Sequence, residues 1–254
     1  MNINGFDKLA RHVPELTTPG GRFKIAAYSF SIFTLTSIYF ILTDQIPTWT
    51  IDSQVVVMAL GYLLLSRFFT QKKRYIEKYK EAAYRHAFGH FAIPGLAVIF
   101  AGLAHTAYMN GPKFTQPILV TVFTWAGWLF VAIGALLFIR AITTFGVDNL
   151  TMLYVYFPEE SSMLNSSIYG VIRHPIYAGA LRVGIGLALL NMGIYALTFA
   201  ILLPLGLFSW IRLVEEKELL ERIPNYAEYR KGVPAFLPYP NKIFGFFKFI
   251  LTGK

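Results

Sequence analysis

The 254-residue chain contains no cysteine and only 14 acidic residues. Without a thiol there is no disulfide, no thiolate metal site and no cysteine nucleophile. Charge of either sign is sparse: charged residues make up 15% of the chain against 55% hydrophobic, and mean hydropathy is +0.50. A water-soluble domain needs more charged groups than that to cover its outer face. The residues before Phe23 are polar, with Pro14, Pro19 and Gly20–Gly21. They lack the short apolar core followed by small residues that marks a cleavable signal peptide. The first apolar stretch is therefore expected to be an uncleaved anchor. There is no internal repeat and no low-complexity tract.

What the chain has instead is apolar runs, near 23–43, 54–69, 90–109, 117–139, 176–191 and 194–213. A run of about 20 residues crosses roughly 30 Å of hydrocarbon at about 1.5 Å per helical residue. The expected fold class is all-α, a polytopic membrane helical bundle of about six spans. The last two runs are short and separated only by Asn191-Met192-Gly193, which predicts a tight C-terminal helical hairpin, spanning or re-entrant, followed by a cytoplasmic tail from 214 to 254. Residues 70–88, with Tyr75 and Tyr79, predict an interfacial helical extension of the second span. The chain divides into an N-terminal transmembrane region, 1–140, and a region at 141–254 made of a polar loop, the hairpin and the tail.

The formal net charge is +9, but its distribution argues against nucleic acid. The cations flank apolar spans, which suits a membrane surface with anionic headgroups. Lys8, Arg11, Arg22, Lys24, the 67–85 segment and the tail after Arg212 fall on one side, and Lys113 alone on the other. The excess of Lys and Arg predicts that this side, with both termini, is cytoplasmic.

Two stretches stand out against this apolar background. The first is Tyr169 to Gly179, "YGVIRHPIYAG", in which Arg173, His174 and Pro175 open the fifth apolar run. Pro is tolerated in a helix's first turn, where N–H groups lack intrahelical partners and suit an anionic moiety. Polar, non-helical backbone at a membrane edge persists only where protein or ligand satisfies it. Taken alone, the triplet is explained by a snorkelling Arg and a capping His-Pro. The second stretch, residues 212–240, has Glu215 and Glu216 at the exit of the last span, then Leu219, Tyr226, Tyr229, Val233-Pro234 and Pro238. Both stretches emerge on the same membrane face, which predicts that they floor one pocket.

The combination of Arg173-His174-Pro175-Ile176-Tyr177-Ala178-Gly179, Glu215-Glu216-Lys217-Glu218-Leu219, Tyr226-Ala227-Glu228-Tyr229 and Val233-Pro234 resembles the isoprenylcysteine carboxyl methyltransferase and phospholipid methyltransferase superfamily. The likeness covers roughly residues 140–240. It implies an integral membrane enzyme that moves a methyl group from S-adenosylmethionine to a lipophilic acceptor: an isoprenylcysteine-type carboxylate, a phospholipid amine, or a small lipophilic acid or thiol. Carried over by position, it implies cofactor contacts at Tyr169, His174, Pro175, Ile176, Tyr177 and Glu215, with Met163 and Leu164 (and Ser161 and Ser162) lending backbone. Gly179, one turn into the fifth run, is expected to permit close approach of the cofactor or of a neighbouring helix. Two positions depart from the family's pattern: Ser167 stands where Gly is frequent, and Ile223-Pro224 replaces the usual Phe-Gly with a spacing one residue shorter.

Arg173, Arg212 and Glu216 are the candidate catalytic residues, and Arg182 and Arg212 the candidate acceptor-binding ones. Arg182 lies about two turns into the fifth run, where an unpaired cation costs ~2.5–3.5 kcal/mol on insertion scales. It is expected to face the bundle and to meet an acidic headgroup or acceptor, or to pair with Asp148. An amine or thiol acceptor needs a base, for which Glu216 or His174 is the candidate. The expected cleft for the acceptor lies between the last hairpin and the fourth span. Glu159 and Glu160 read as solvated. No metal site is expected, since His86, His90 and His105 have no acidic or thiolate companions in the pattern. Two other readings compete, a sterol-type membrane reductase using NADPH and a non-enzymatic haem or transport protein using those histidines. The expected partners are a lipophilic small molecule or lipid as substrate and the membrane lipids, with no nucleic acid. No oligomeric state follows from the sequence.

Overall fold

The computed structural model describes residues 4–160 and 168–253, and within them the chain is a bundle of helices. All six apolar runs are helical. Among the described residues, five helical stretches are long and apolar enough to cross a membrane: Pro19–Thr43, Thr50–Thr70, Lys72–His105, Pro117–Phe145 and Ile194–Arg222. The sixth, Pro175–Asn191, has 17 residues, which at about 1.5 Å each gives a rod of about 25 Å.

A short amphipathic helix, α1 (Phe6–His12), precedes the first long one, α2 (Pro19–Thr43). Thr18 caps α2, its hydroxyl accepting from Gly21 N–H at 3.1 Å, with Pro19 in the first turn where its missing N–H costs nothing. Helix α3 (Thr50–Thr70) runs antiparallel to α6 (Ile93–His105), with Gln54 bonded to Gly102 and Leu65 packed on Gly95. Between them, residues 70–88 form a helical turn rather than a straight extension of α3. The chain breaks at Gln71, forms α4 (Lys72–Tyr79), breaks again at Lys80 (φ 52°), and re-enters through α5 (Ala83–Ala87) and a π-helical turn at Phe88–Ala92. Aromatic contacts close this turn: Tyr79 stacks on His86 at 4.0 Å, and the Tyr75 hydroxyl lies 3.0 Å from His90 Nδ1.

Helix α7 (Pro117–Phe145) is the chief partner of α9 (Pro175–Asn191). Their backbones touch through glycines. A Cβ on Gly134 would lie 2.8 Å from Gly179 O, and one on Gly186 would lie 2.8 Å from Gly127 O. Small residues at such a seam let two membrane helices close to backbone contact. Between these helices, the described part of the polar loop includes α8 (Val147–Leu150) and lies under α1. Glu160 is not simply solvated there: it accepts from His12 Nε2 at 2.7 Å and pairs with Arg11 at 3.6 Å, while His12 stacks on Phe157.

Helices α9 and α10 (Ile194–Trp210) are joined at Met192-Gly193, with Met192 left-handed (φ 60°) and Asn191 Oδ1 accepting from Gly193 N–H at 2.9 Å. A π-helical turn at Ile211–Glu215 then leads without interruption into α11 (Glu216–Arg222). The tail adds α12 (Tyr226–Gly232), an extended strap, and α13 (Ile243–Thr252), which packs on α7. At the opposite end of the bundle, His105 is fully buried, bonded through Nδ1 to Gln54 at 2.7 Å and through Nε2 to Asp44 at 3.1 Å, and stacked on Phe40.

Candidate active site

The site is assembled where α9 begins. Ile168 and Ile172, both fully buried, anchor the chain against Leu137 and Phe145 of α7. Arg173 and His174 then run beside the tail strap, their N–H groups donating to Pro234 O at 2.9 Å and Ala235 O at 3.1 Å. His174 stands at the N-cap of α9, and Pro175 takes the first helical position. The Tyr229 hydroxyl ties α12 to this turn by donating to Tyr169 O at 2.8 Å.

The π turn at Ile211–Glu215 sets the adjacent glutamates to different tasks. Glu216 points to the buried side: Oε1 accepts from Arg173 Nε at 3.1 Å, Nη2 at 2.9 Å and His174 Nε2 at 3.3 Å, and Oε2 lies 3.4 Å from Arg230 Nη1. Arg173 completes its fork on Arg230 O at 3.1 Å and on Val233 O. This is a closed ion-pair network that locks α9, α11 and the strap together. Glu215 faces an enclosed space instead. Its Oε2 is solvent-inaccessible, makes no hydrogen bond among the described residues, and sits 3.9 Å from His174 Nδ1. The buried Tyr226 hydroxyl is likewise unpartnered. A buried polar group left unpaired costs about 1–3 kcal/mol, so two beside one cavity point to a polar ligand.

That cavity has a volume of about 500 Å³, inside the roughly 300–1,000 Å³ of small-molecule and cofactor sites. Arg173, His174, Glu215 and Tyr226 supply its polar wall. Leu65 and Phe69 of α3, Leu96 of α6, Ile176 and Leu219 supply an apolar one. Burial raises the hydroxyls of Tyr169 and Tyr226 well above the ordinary phenol range. Burial also pushes Tyr229 up to about 12, against the lowering pull of Arg173. All three phenols are therefore protonated hydrogen-bond donors at neutral pH.

Of the residues predicted from the sequence, Tyr169, Arg173, His174, Pro175, Ile176, Tyr177 and Glu215 line this one cavity. Met163 and Leu164, with Ser161 and Ser162, lie outside the described residues. Gly179 does not line it, because the position where its Cβ would stand is 2.8 Å from Phe138 N of α7, so it serves the helix seam. Glu216 does not line it either, and as a base it is spent on Arg173, His174 and Arg230. Arg182 is turned from the cavity and does not pair with Asp148: it donates to Ala178 O at 2.8 Å and Phe236 O at 3.1 Å and lies over the Phe246 ring. Asp148 is engaged by Tyr154 and lies 4.0 Å from Lys8. Arg212 is exposed on the π turn and, among the described residues, makes no ion pair.

No residue of α7 lines this cavity, so it is not the cleft expected beside the fourth span. The glycine seam closes α7 onto α9, and the membrane-side wall comes from α3 and α6 instead. Tyr226 and Tyr229 were visible in the tail pattern as spaced tyrosines without a role. Leu65, Phe69 and Leu96 had no signal at all, being apolar residues in apolar runs. Neither ring nitrogen of His105 is available to a haem iron, and among the described residues no three His, Asp or Glu side chains cluster as metal ligands.

Comparison with a family model bears on the same part of the chain. Residues 122–225 match the family model of phospholipid methyltransferases, a span that includes α9, Glu215 and Glu216 and stops just before Tyr226. A methanethiol S-methyltransferase from Pseudomonas deceptionensis is 31% identical over 130 residues, covering 50% of this chain and 47% of the relative. The match thus spans about half the length of that relative. No solved structure matches the chain. Both matches are to methyltransferases: over residues 122–225 the chain is similar to the phospholipid methyltransferase family, and over half of its length to an S-methyltransferase.

Proposed function

We propose that the chain transfers a methyl group from S-adenosylmethionine to a small lipophilic acceptor in the cavity between α9, α11 and the α3–α6 pair. The excess of Lys and Arg around it supports a cytoplasmic position for this site. The observation that carries the proposal is the unpartnered Glu215 Oε2 beside the unpartnered Tyr226 hydroxyl, in a cavity whose other wall is apolar.

The residues present fit that cofactor's functional groups. Glu215 offers a buried carboxylate to a cationic amino group, and Tyr226 offers a donor to an anionic or carbonyl oxygen. Ile176 and Tyr177 line the cavity at the first turn of α9, where helix N–H groups have no intrahelical partner and favour a carboxylate. When bound, S-adenosylmethionine supplies an electrophilic methyl group on a sulfonium. The chain's own task is then to hold donor and acceptor in line and to keep water out, which accounts for most of the acceleration in such a displacement. The Glu216 network keeps His174 and the α9 turn in place for this. Leu65, Phe69 and Leu96 present an apolar surface to the acceptor's hydrocarbon part.

No carboxylate in the cavity is both unpaired and distant from the cofactor's expected amino group. This favours a carboxylate, already a nucleophile at neutral pH, over a protonated phospholipid amine, while a thiol needs a base, for which His174 is the candidate. The S-methyltransferase relative adds weight to a small thiol. Titration of the purified protein with S-adenosylmethionine and, separately, with NADPH tests the reading. Saturable binding of the first alone, weakened in both Glu215→Gln and Tyr226→Phe, is the expected result. Binding of NADPH instead, or affinity for S-adenosylmethionine unchanged in both variants, refutes it.

A further inference from the structure

Helix α13 carries an apolar arc wider than the protein surface beneath it. Phe246, Phe249 and Ile250 are buried in one cluster with Leu137 and Ala141 of α7. Phe244 and Leu251 are nevertheless 83% and 70% exposed, and Ile243 and Phe247 each 44% exposed. At about 100° per residue these four form an arc adjoining the buried one, leaving Lys248 and Thr252 on the remaining side. The helix therefore has a protein face, an uncovered apolar face and a polar face. The helix it packs on, α7, is itself long and apolar enough to cross the membrane and exposes Leu136 and Ile139. The two helices are tied side by side, with Arg140 Nη2 donating to Leu251 O at 3.2 Å.

Charge points the same way. Residues 229–254 contain five cations, Arg230, Lys231, Lys242, Lys248 and Lys254, and no acid. A basic segment flanking an apolar helix face is complementary to an anionic lipid surface. We infer that α13 is an interfacial helix whose outer face lies in the headgroup region of an anionic bilayer, anchoring to the membrane the strap that floors the cavity. That strap is also held by protein. Pro234 O and Ala235 O accept from Arg173 and His174 N–H, Phe236 O accepts from Arg182, and Lys242 Nζ donates to Gly170 O at 2.6 Å. The membrane thus adds to the hold that the bundle already has on the cavity's floor. This inference stands whether or not the cavity performs methyl transfer.

The absence of cysteine makes the test direct. Single nitroxide labels are placed in the full chain at F244C, L251C, K248C and T252C, all exposed positions, and the protein is reconstituted in phosphatidylcholine vesicles containing phosphatidylglycerol. Labels at 244 and 251 are expected to collide more with oxygen than with a water-soluble nickel chelate, and labels at 248 and 252 to show the reverse. Equal nickel accessibility at all four positions overturns the inference. So does dipolar broadening at 244 and 251 that disappears on dilution with unlabelled chain, which would make a second copy the occupant. In vesicles of phosphatidylcholine alone, the oxygen preference at 244 is expected to fall, and an unchanged value overturns the anionic partner.

Discussion

Replacing each of the two adjacent glutamates by glutamine should separate fold from function at one helix exit. Glu216 accepts four contacts from two arginines and a histidine, two of them from Arg173 at 2.9 and 3.1 Å, and its side chain is 5% exposed. Glu216→Gln removes the counter-charge and leaves the nearly buried Arg173 guanidinium to carbonyl oxygens. Breaking a buried pair in this way costs about 3–5 kcal/mol. Glu215 Oε2 has no protein hydrogen bond to lose, so Glu215→Gln should change stability by less than about 1 kcal/mol. It should instead weaken cofactor binding by the value of one charge-assisted hydrogen bond, about 1.5–3 kcal/mol or roughly 10- to 150-fold. Thermal unfolding in detergent and ligand titration on the same preparations read both quantities. The reasoning fails if Glu215→Gln is the less stable protein, or if Glu216→Gln keeps full stability.

Other consequences can be checked with the same methods. Gly179→Ala places a methyl 2.8 Å from Phe138 N, a backbone atom that cannot step aside, and should cost about 1–3 kcal/mol by prying α9 from α7; an unchanged unfolding midpoint would contradict the seam. Arg182→Leu removes the bond to Phe236 O and the contact over Phe246, so limited proteolysis should cut the strap between 233 and 242 faster, with the upper bundle unaffected. Leu96→Trp fills the apolar wall and should raise the acceptor's KM with little change in cofactor affinity, as measured by steady-state kinetics and titration. Burial holds Tyr229 up to about 12 against an ordinary 10, so the stability its neutral hydroxyl contributes is complete below pH 10 and lost as pH rises toward 12. The alkaline fall in unfolding midpoint should accordingly be smaller in Tyr229→Phe.

Local patterns carried much of this protein. Six apolar runs were legible as helices because spanning length and hydropathy are properties of contiguous residues. The meeting of Arg173-His174-Pro175 with Glu215 was legible because both stretches leave the membrane on one face. Tertiary structure alone decided which side chains share the cavity. Adjacent Glu215 and Glu216 differ by one rotation along a π-helical turn, and no composition or spacing reports that the first faces a cavity and the second a guanidinium. Arg182 meets Phe236 and Phe246, far along the chain in the tail, and not Asp148. Leu65, Phe69 and Leu96 became the apolar wall only because a glycine seam drew α7 onto α9 and left the α3–α6 pair facing the site. In lipid every outward apolar residue looks alike in sequence, and only packing separates a cavity wall from a surface that meets hydrocarbon.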